Sequence, residues 1–267
     1  MNKHFSRLLL ILASALLLAG EAKAAPPASL DLVFIGDSIT AGAGLQDRTT
    51  QAPPVIAAQA LQKQLGTGIA VYMSNQGKSG FTTVNFLPGG PSFPAIEAAA
   101  RDLETAHPGQ LVFSIMLGTN DSANIGPKGS PVSADDYAKN LEQIIDKLVA
   151  DYPTAKFVIH HPIWYSPNTN KRNPLTQTGS DYGGDSAANR LKSYFPAIDS
   201  IVQNYAATHP GQLFLGDTQA YGYFASHQAE FQPEKGQKGI YYLHLNATGA
   251  QSLGGFWAVS LAQKLNP

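Results

Sequence analysis

Short apolar runs recur along the chain and have the length of buried strands. The first spans residues 30–35 (LDLVFI) and ends at Gly36. A run without regular polar alternation is typical of a strand that is covered on both faces of a sheet. Further runs of this kind predict four more strands, at residues 69–73, 111–117, 157–161 and 213–215.

Between these runs, apolar residues recur three or four positions apart, which predicts helices. One predicted helix spans residues 53–65, with proline at its start and a glycine after its end. Another opens at Ser133, which forms a pattern resembling a capping box with Asp136. His-Pro-Gly follows two further helices, so we interpret His107 and His209 as helix caps and not as catalytic residues. The remaining predicted helices lie at residues 93–106, 187–207 and 247–265.

Strands and helices therefore alternate, which indicates an α/β fold with one parallel sheet covered on both faces. We predict a three-layer α/β/α sandwich around a central, mainly parallel, five-stranded sheet. No linker or change of composition divides residues 25–267, so we predict that they form a single domain.

Residues 1–24 have the pattern of a secretory signal peptide. Lys3 and Arg7 precede an apolar run at residues 8–18, and residues 22–24 (AKA) match a small-x-small cleavage site. The run is too short for a membrane span, which needs about 20 apolar residues. We therefore expect a mature chain that has no membrane span and acts in the periplasm or outside the cell.

Composition narrows the possible functions. The chain has 267 residues, of which 43% are hydrophobic and 14% are charged, and its formal net charge is −1. This balance offers no basic surface for a nucleic-acid backbone, so we expect no nucleic-acid partner. The chain holds no cysteine, which excludes disulfides, cysteine-ligated metals and a thiol nucleophile. We expect neither a metal nor a cofactor.

Polar residues gather where the predicted strands end. The carboxyl ends of parallel strands meet at one edge of a sheet, where α/β folds bind their ligands. Each polar segment alone has ordinary loop composition, but we expect five of them to converge at this edge. Four of them follow predicted strands: residues 36–40 (GDSIT), 75–80 (NQGKSG), 118–121 (GTND) and 161–165 (HPIWY). The fifth, residues 244–246 (HLN), lies just before the last predicted helix.

Four of these segments match, in order, the sequence blocks of the SGNH hydrolases, which are the GDSL-type esterases and lipases. The chain resembles this family from Asp31 to about Ala258. The resemblance implies the flavodoxin-like SGNH fold and a serine esterase. It places the nucleophile at Ser38, oxyanion-hole groups at Gly80 and Asn120, and the general base at His244.

Ester chemistry is consistent with these roles. A serine hydroxyl becomes a good nucleophile only when a base takes its proton, and neutral histidine is available for this near neutral pH. The negative charge that forms on the carbonyl oxygen needs preorganised donors. The N–H groups of Ser38 and Gly80 and the amide of Asn120 supply three. We interpret Asp37 and Asp121 as residues that orient loops.

One position departs from the family pattern. The family has Asp three residues before the histidine, where this chain has Tyr241. Three explanations are open: the Tyr241 carbonyl accepts the histidine N–H, a carboxylate from elsewhere replaces the Asp, or the protein is a poor catalyst. We favour the carbonyl. The carboxylates that could replace the Asp are Glu234, Glu230 and Asp217.

Other histidines offer alternatives. His160 and His161 are neighbours on a predicted strand, so they point to opposite faces and cannot chelate one metal together. One of them is a candidate pocket residue, and the other is expected to pack under a helix. His227 is the rival candidate for the base.

The expected substrate is a carboxylic ester of a small molecule or polysaccharide. Aromatic side chains near the predicted site suit the apolar faces of sugar rings, although the same residues suit a core equally. They are Phe81, Trp164, Tyr165, Tyr182, Tyr221, Tyr223, Tyr241 and Tyr242. Among the polar segments at the sheet edge, Trp164, Tyr165 and His161 are the candidate substrate-binding residues.

The segment at residues 166–184 exceeds the normal length of a connection, so we predict a lid, a binding loop or a mobile segment. A loop of this kind in a secreted esterase favours removal of acetyl or other short acyl groups from a carbohydrate. The alternatives are a general carboxylesterase or lipase, and a carbohydrate-binding protein that keeps the fold without catalysis.

Overall fold

A computed structural model describes residues 26–265 of the chain, so the signal sequence predicted at residues 1–24 lies outside the described residues. The strands are β1 (Ser29–Gly36), β2 (Ala70–Gly77), β3 (Gln110–Met116), β4 (Lys156–Ile159), β5 (Leu213–Leu215), β6 (Glu234–Gly236) and β7 (Gly239–Tyr241). The helices are α1 (Arg48–Gln51), α2 (Pro53–Leu65), α3 (Phe93–Ala106), α4 (Ala134–Asp151), α5 (Asp185–Thr208), α6 (Ala220–Ser226) and α7 (Ala247–Leu265). Within this part of the chain, no helix combines the length and apolar character that crossing a membrane requires.

Strands β1 to β5 form one sheet in the order β2-β1-β3-β4-β5, and every neighbouring pair is parallel. This is the strand order of flavodoxin-like doubly wound folds, in which ligands bind where the order reverses, between β1 and β3. Strands β6 and β7 form a separate antiparallel hairpin. The predicted α/β fold with a parallel five-stranded sheet is confirmed.

Side chains of β1 alternate between two hydrophobic cores, one on each face of the sheet. Leu30, Leu32 and Phe34 pack in the core that holds the buried residues of α2 and α7. Val33 and Ile35 pack in the core that holds those of α3, α4 and α5. Full burial of one such side chain stabilises the fold by roughly 1.5–3 kcal/mol. The two cores make three layers and fix the position of the loop that follows β1.

Most predicted elements have the expected bounds, because strands covered on both faces and amphipathic helices leave strong patterns. α4 begins after Ser133, whose side-chain oxygen accepts the N–H of Asp136 at 3.1 Å. His107 and His209 follow α3 and α5 as their last capping residues, as interpreted. Strand β4 ends at Ile159, two residues earlier than predicted. The sequence pattern did not predict α1, α6 or the β6–β7 hairpin.

Gly36 ends β1 at a point where a side chain has no room. A Cβ here would overlap Oγ1 of Thr40 and lie 2.8 Å from the carbonyl oxygen of Met116. Overpacking of this kind costs about 1–3 kcal/mol, so we expect Gly36→Ala to lower the free energy of unfolding by that amount. Urea unfolding followed by circular dichroism measures the change. Gly68→Ala is the control, since nothing lies within 4 Å of its Cβ, and equal effects of both changes would contradict the steric explanation.

Candidate active site

A serine and a histidine that are far apart in the sequence meet at the carboxyl edge of the sheet. Ser38 lies in the turn after β1 and is buried, and Nε2 of His244 lies 3.0 Å from its Oγ. His244 lies between β7 and α7, and its carbonyl accepts the N–H of Gln232 at 2.8 Å. This geometry lets the imidazole take the proton of the serine hydroxyl.

Asn120 presents an amide whose plane is fixed on both sides. Its Nδ2 donates to the carbonyl of Phe81 at 2.9 Å, and its Oδ1 accepts the hydroxyl of Tyr182 at 2.6 Å. An amide nitrogen carries two hydrogens, so one remains for a bound oxygen. Gly80, the second candidate donor, has a φ of 78°, a left-handed conformation that favours glycine.

These groups line one cavity of about 310 Å³. Ser38, Gly80, Asn120 and His244 are among the residues that line it. The long loop at residues 166–184 also contributes to the lining, through Lys171, Gly179, Ser180 and Tyr182. The loop therefore has the place expected of a binding loop, and Tyr182 was among the aromatic residues predicted near the pocket.

Two buried carboxyl groups, those of Asp37 and Asp121, adjoin Ser38 and Asn120 in the sequence and bind nearby loops. Oδ1 of Asp37 accepts the N–H of Ile39 at 2.9 Å, and Oδ1 of Asp121 accepts the N–H of Thr83 at 2.9 Å. Burial raises the pKa of Asp37 to about 6 and that of Asp121 to about 7. Their contacts fit the interpretation that they orient loops.

Glu234 of β6 is the carboxylate next to His244. Its Oε1 lies 2.9 Å from Nδ1 of the imidazole and also accepts the backbone N–H of His244 at 3.2 Å. The preference for the Tyr241 carbonyl was therefore wrong, and one of the three alternative carboxylates has the position instead. Tyr241 takes part through its hydroxyl, which donates to Oε2 of Glu234 at 3.0 Å.

The other two candidate carboxylates have different partners. Oε1 of Glu230 accepts the hydroxyl of Tyr223 at 2.7 Å. Asp217 accepts the N–H groups of Gln219 and Ala220, each at 3.1 Å, at the start of α6. Neither carboxylate contacts His244.

The three candidate substrate-binding residues pack away from the cavity, which corrects that prediction. The ring of His161 stacks on Phe195 at 4.4 Å between centroids, and its Nε2 lies 2.8 Å from Asp199. Tyr165 is buried, and its hydroxyl shares a hydrogen bond with the side chain of Ser122. Trp164 is half-buried and packs edge-on against Phe231, with 5.6 Å between ring centroids. Aromatic rings stabilise the interior of a protein as well as binding sites, and these three rings pack against other side chains of the fold.

His160 and His227 also lie outside the cavity. Burial lowers the pKa of His160 to about 3, so this ring is neutral, and its Nδ1 accepts the N–H of Asp217 at 2.9 Å. His160 packs on Trp257 and His161 on the opposite layer, so the two point to opposite faces as predicted. His227 stacks on Tyr223, and its Nδ1 lies 2.7 Å from the carbonyl of that residue. The rival base therefore has no contact with Ser38.

A flavodoxin-like sheet with serine, asparagine and histidine at its carboxyl edge defines the class of the SGNH hydrolases. The model of the GDSL-like lipase/acylhydrolase family matches residues 34–252. The chain belongs to this family and is a carboxylic ester hydrolase. No curated protein sequence matches the chain.

Solved structures of esterases share the fold at low identity. A family 3 carbohydrate esterase from Clostridium thermocellum has a TM-score of 0.55 and 16% identity, covering 89% of this chain and 98% of its own. A carbohydrate acetylesterase from Sinorhizobium meliloti has a TM-score of 0.53 and 19% identity, covering 87% and 98%. A two-domain esterase active on acetylated mannans has a TM-score of 0.53 and 14% identity, covering 90% and 50%. At these identities the likeness is one of fold.

Proposed function

We propose that this esterase removes acetyl or other short acyl groups from a carbohydrate through an acyl-enzyme on Ser38. The observation that carries the proposal is the 3.0 Å contact between Oγ of Ser38 and Nε2 of His244. This contact lies in the same cavity as the fixed amide of Asn120. A nucleophile, a base and an oxyanion donor thus surround one space.

The first half of the reaction acylates the serine. Oγ of Ser38 attacks the ester carbonyl carbon while its proton passes to Nε2 of His244. The carbonyl oxygen becomes an oxyanion that accepts the N–H groups of Ser38 and Gly80 and the free amide hydrogen of Asn120. The bond to the sugar oxygen then breaks. That oxygen takes the proton from His244, and the sugar leaves as an alcohol while the acyl group stays on Ser38.

The second half returns the enzyme to its first state. A water molecule gives a proton to Nε2 of His244 and attacks the acyl carbon. The same donors hold the second oxyanion. When the bond to Oγ breaks, Ser38 recovers its proton from His244, and the short-chain acid is released.

The size and composition of the cavity support a short acyl group. At about 310 Å³ the cavity is at the small end of the ligand sites known in proteins. Ser180 offers a hydroxyl at its wall, which suits a sugar with many hydroxyls. Structural neighbours described as a carbohydrate acetylesterase and as an esterase active on acetylated mannans support the same substrate class.

The chain-length preference of the enzyme tests the proposal. We expect kcat/KM for p-nitrophenyl esters to fall from acetate to octanoate by about tenfold or more, because each added methylene must fit a small cavity. Acetate release from acetylated xylan, measured enzymatically, then tests the carbohydrate. A preference for octanoate would indicate a lipase instead. Hydrolysis of p-nitrophenyl acetate without acetate release from any acetylated glycan would indicate a general carboxylesterase.

We also propose that the enzyme acts in the periplasm or outside the cell. The basic start, the apolar run and the small-residue cleavage pattern of residues 1–24 support this location. An acylated polysaccharide is available to an enzyme on that side of the membrane.

A further inference from the structure

The β6–β7 hairpin brings a carboxylate behind His244 from an unexpected strand. Glu234 and Tyr241 are paired across this hairpin, so their side chains lie on the same face, roughly 5 Å apart at Cβ. Position 241 is where the family pattern has Asp, and here the carboxylate stands on the opposite strand. Glutamate is one methylene longer than aspartate, and Oε1 reaches to 2.9 Å from Nδ1 of His244.

Glu234 is held at both oxygens. Oε1 contacts the ring and backbone nitrogens of His244, and Oε2 accepts the Tyr241 hydroxyl at 3.0 Å and lies 3.6 Å from Nζ of Lys171. Burial opposes ionisation, but the hydrogen bond and charge of His244, the charge of Lys171 and the Tyr241 hydroxyl lower the pKa of Glu234 to about 2. The carboxylate is therefore charged wherever a histidine acts as a base.

The long loop at residues 166–184 is bonded to the same hairpin. Nδ2 of Asn168 donates to the carbonyl of Ile240 at 2.6 Å. The N–H of Gln237 donates to the carbonyl of Asn170 at 3.1 Å. Lys171 follows Asn170 and lines the cavity. One loop thus contacts both the substrate space and the carboxylate behind the histidine.

We propose that Glu234 is the residue that positions His244, and that Tyr241 and Lys171 hold its carboxylate. Glu234 stands on the strand opposite position 241, where the family pattern has Asp. The inference rests on the proposed function, because His244 is the base of that reaction. Nδ1 keeps its proton and donates a hydrogen bond to the carboxylate. The lone pair of Nε2 therefore remains available for the proton of Ser38. Once Nε2 is protonated, the carboxylate stabilises the imidazolium charge without taking a proton itself.

Glu234→Gln removes the negative charge of the side chain and keeps its size and shape. We expect kcat for p-nitrophenyl acetate to fall by a factor on the order of 10² to 10⁴, with KM nearly unchanged. Glu230→Gln is the matched control, because that carboxylate contacts Tyr223 instead, and we expect its rate within about twofold of wild type.

A rescue experiment separates positioning from a general effect on the fold. Glu234→Ala removes the carboxylate, and Tyr241→Asp added to it places one at the position of the family pattern. We expect the double variant to exceed Glu234→Ala in kcat by about tenfold or more. Damage to folding cannot produce such a recovery. A double variant no faster than Glu234→Ala would overturn the inference that positions 234 and 241 serve the same imidazole.

A measurement independent of turnover distinguishes this inference from the proposed function. In the full chain with ¹⁵N-labelled histidine, we expect a low-field proton signal from the bonded Nδ1–H of His244, and its loss in Glu234→Gln. A wild-type protein that hydrolyses no ester would refute the proposed function, while this signal would still decide the inference. A signal that stays unchanged in Glu234→Gln would overturn the inference, even in an active enzyme.

Discussion

Ser38→Ala will reduce kcat for p-nitrophenyl acetate by a factor on the order of 10⁴ to 10⁶, with KM changed little. The variant loses the oxygen that lies 3.0 Å from Nε2 of His244, so no acyl-enzyme can form. The remaining donors of the cavity still stabilise an oxyanion, and they account for the residual rate through direct attack by water. Initial rates at saturating ester, corrected for spontaneous hydrolysis, measure the effect.

Ser226 provides a matched control for this variant. Its Oγ lies 3.2 Å from Nδ1 of His227, so it is a serine beside a histidine ring, and it lies at the exposed end of α6, outside the cavity. Ser226→Ala is expected to keep the wild-type rate. Labelling by a fluorophosphonate, located by mass spectrometry, should modify Ser38 alone. Equal corrected rates for wild type and Ser38→Ala would contradict the acyl-enzyme on Ser38. A wild type no faster than spontaneous hydrolysis would indicate the alternative, a carbohydrate-binding protein that keeps the fold without catalysis.

The sheet could be predicted from sequence because its strands are covered on both faces. β1 has five apolar residues that divide between two cores. A strand buried on both faces therefore shows a nearly continuous apolar run in the sequence. The meeting of Ser38 with His244 was also predicted, because the rule that parallel strands end at one edge places Ser38 there and the family resemblance pairs it with His244. The pairing of such distant residues therefore needed only the strand order and a recognisable order of sequence blocks.

The carboxylate behind the histidine could not be predicted in the same way. Glu234 lies on a strand of three residues, which is too short for a pattern of alternation. The glycines at 236 and 239, with two residues between them, were the available signal of a hairpin. The pairing of Glu234 with Tyr241 brings this carboxylate to His244, and such pairing depends on contacts across the fold.

Aromatic residues near strand ends show a second limit of sequence analysis. His161, Trp164 and Tyr165 follow β4 in the segment that was predicted to face the cavity. Each packs into a layer of the sandwich instead, because a chain leaving a strand can turn its side chains toward either helix layer. Tyr182, which does line the cavity, comes from near the end of a long loop, where no periodic pattern indicates direction.

The amide of Asn120 offers a test of the oxyanion hole that does not involve the nucleophile. We expect Asn120→Ala to lower kcat by about 10²- to 10³-fold. KM should change little, because the donor acts on a charge that exists only in the transition state. Steady-state kinetics with p-nitrophenyl acetate separate the two constants. Asn140→Ala is the control, since this half-buried amide donates to Oγ1 of Thr83, outside the cavity.

Tyr182→Phe tests whether the fixed orientation of that amide matters. The variant removes the hydroxyl that holds Oδ1 of Asn120 and leaves the ring and the donor in place. A misdirected donor loses part of its effect, so we expect kcat to fall by about tenfold, less than in Asn120→Ala. In a double variant the two losses should not add, because both act on one hydrogen bond to the oxyanion. Additive losses would show that Tyr182 acts on the substrate directly and not through Asn120.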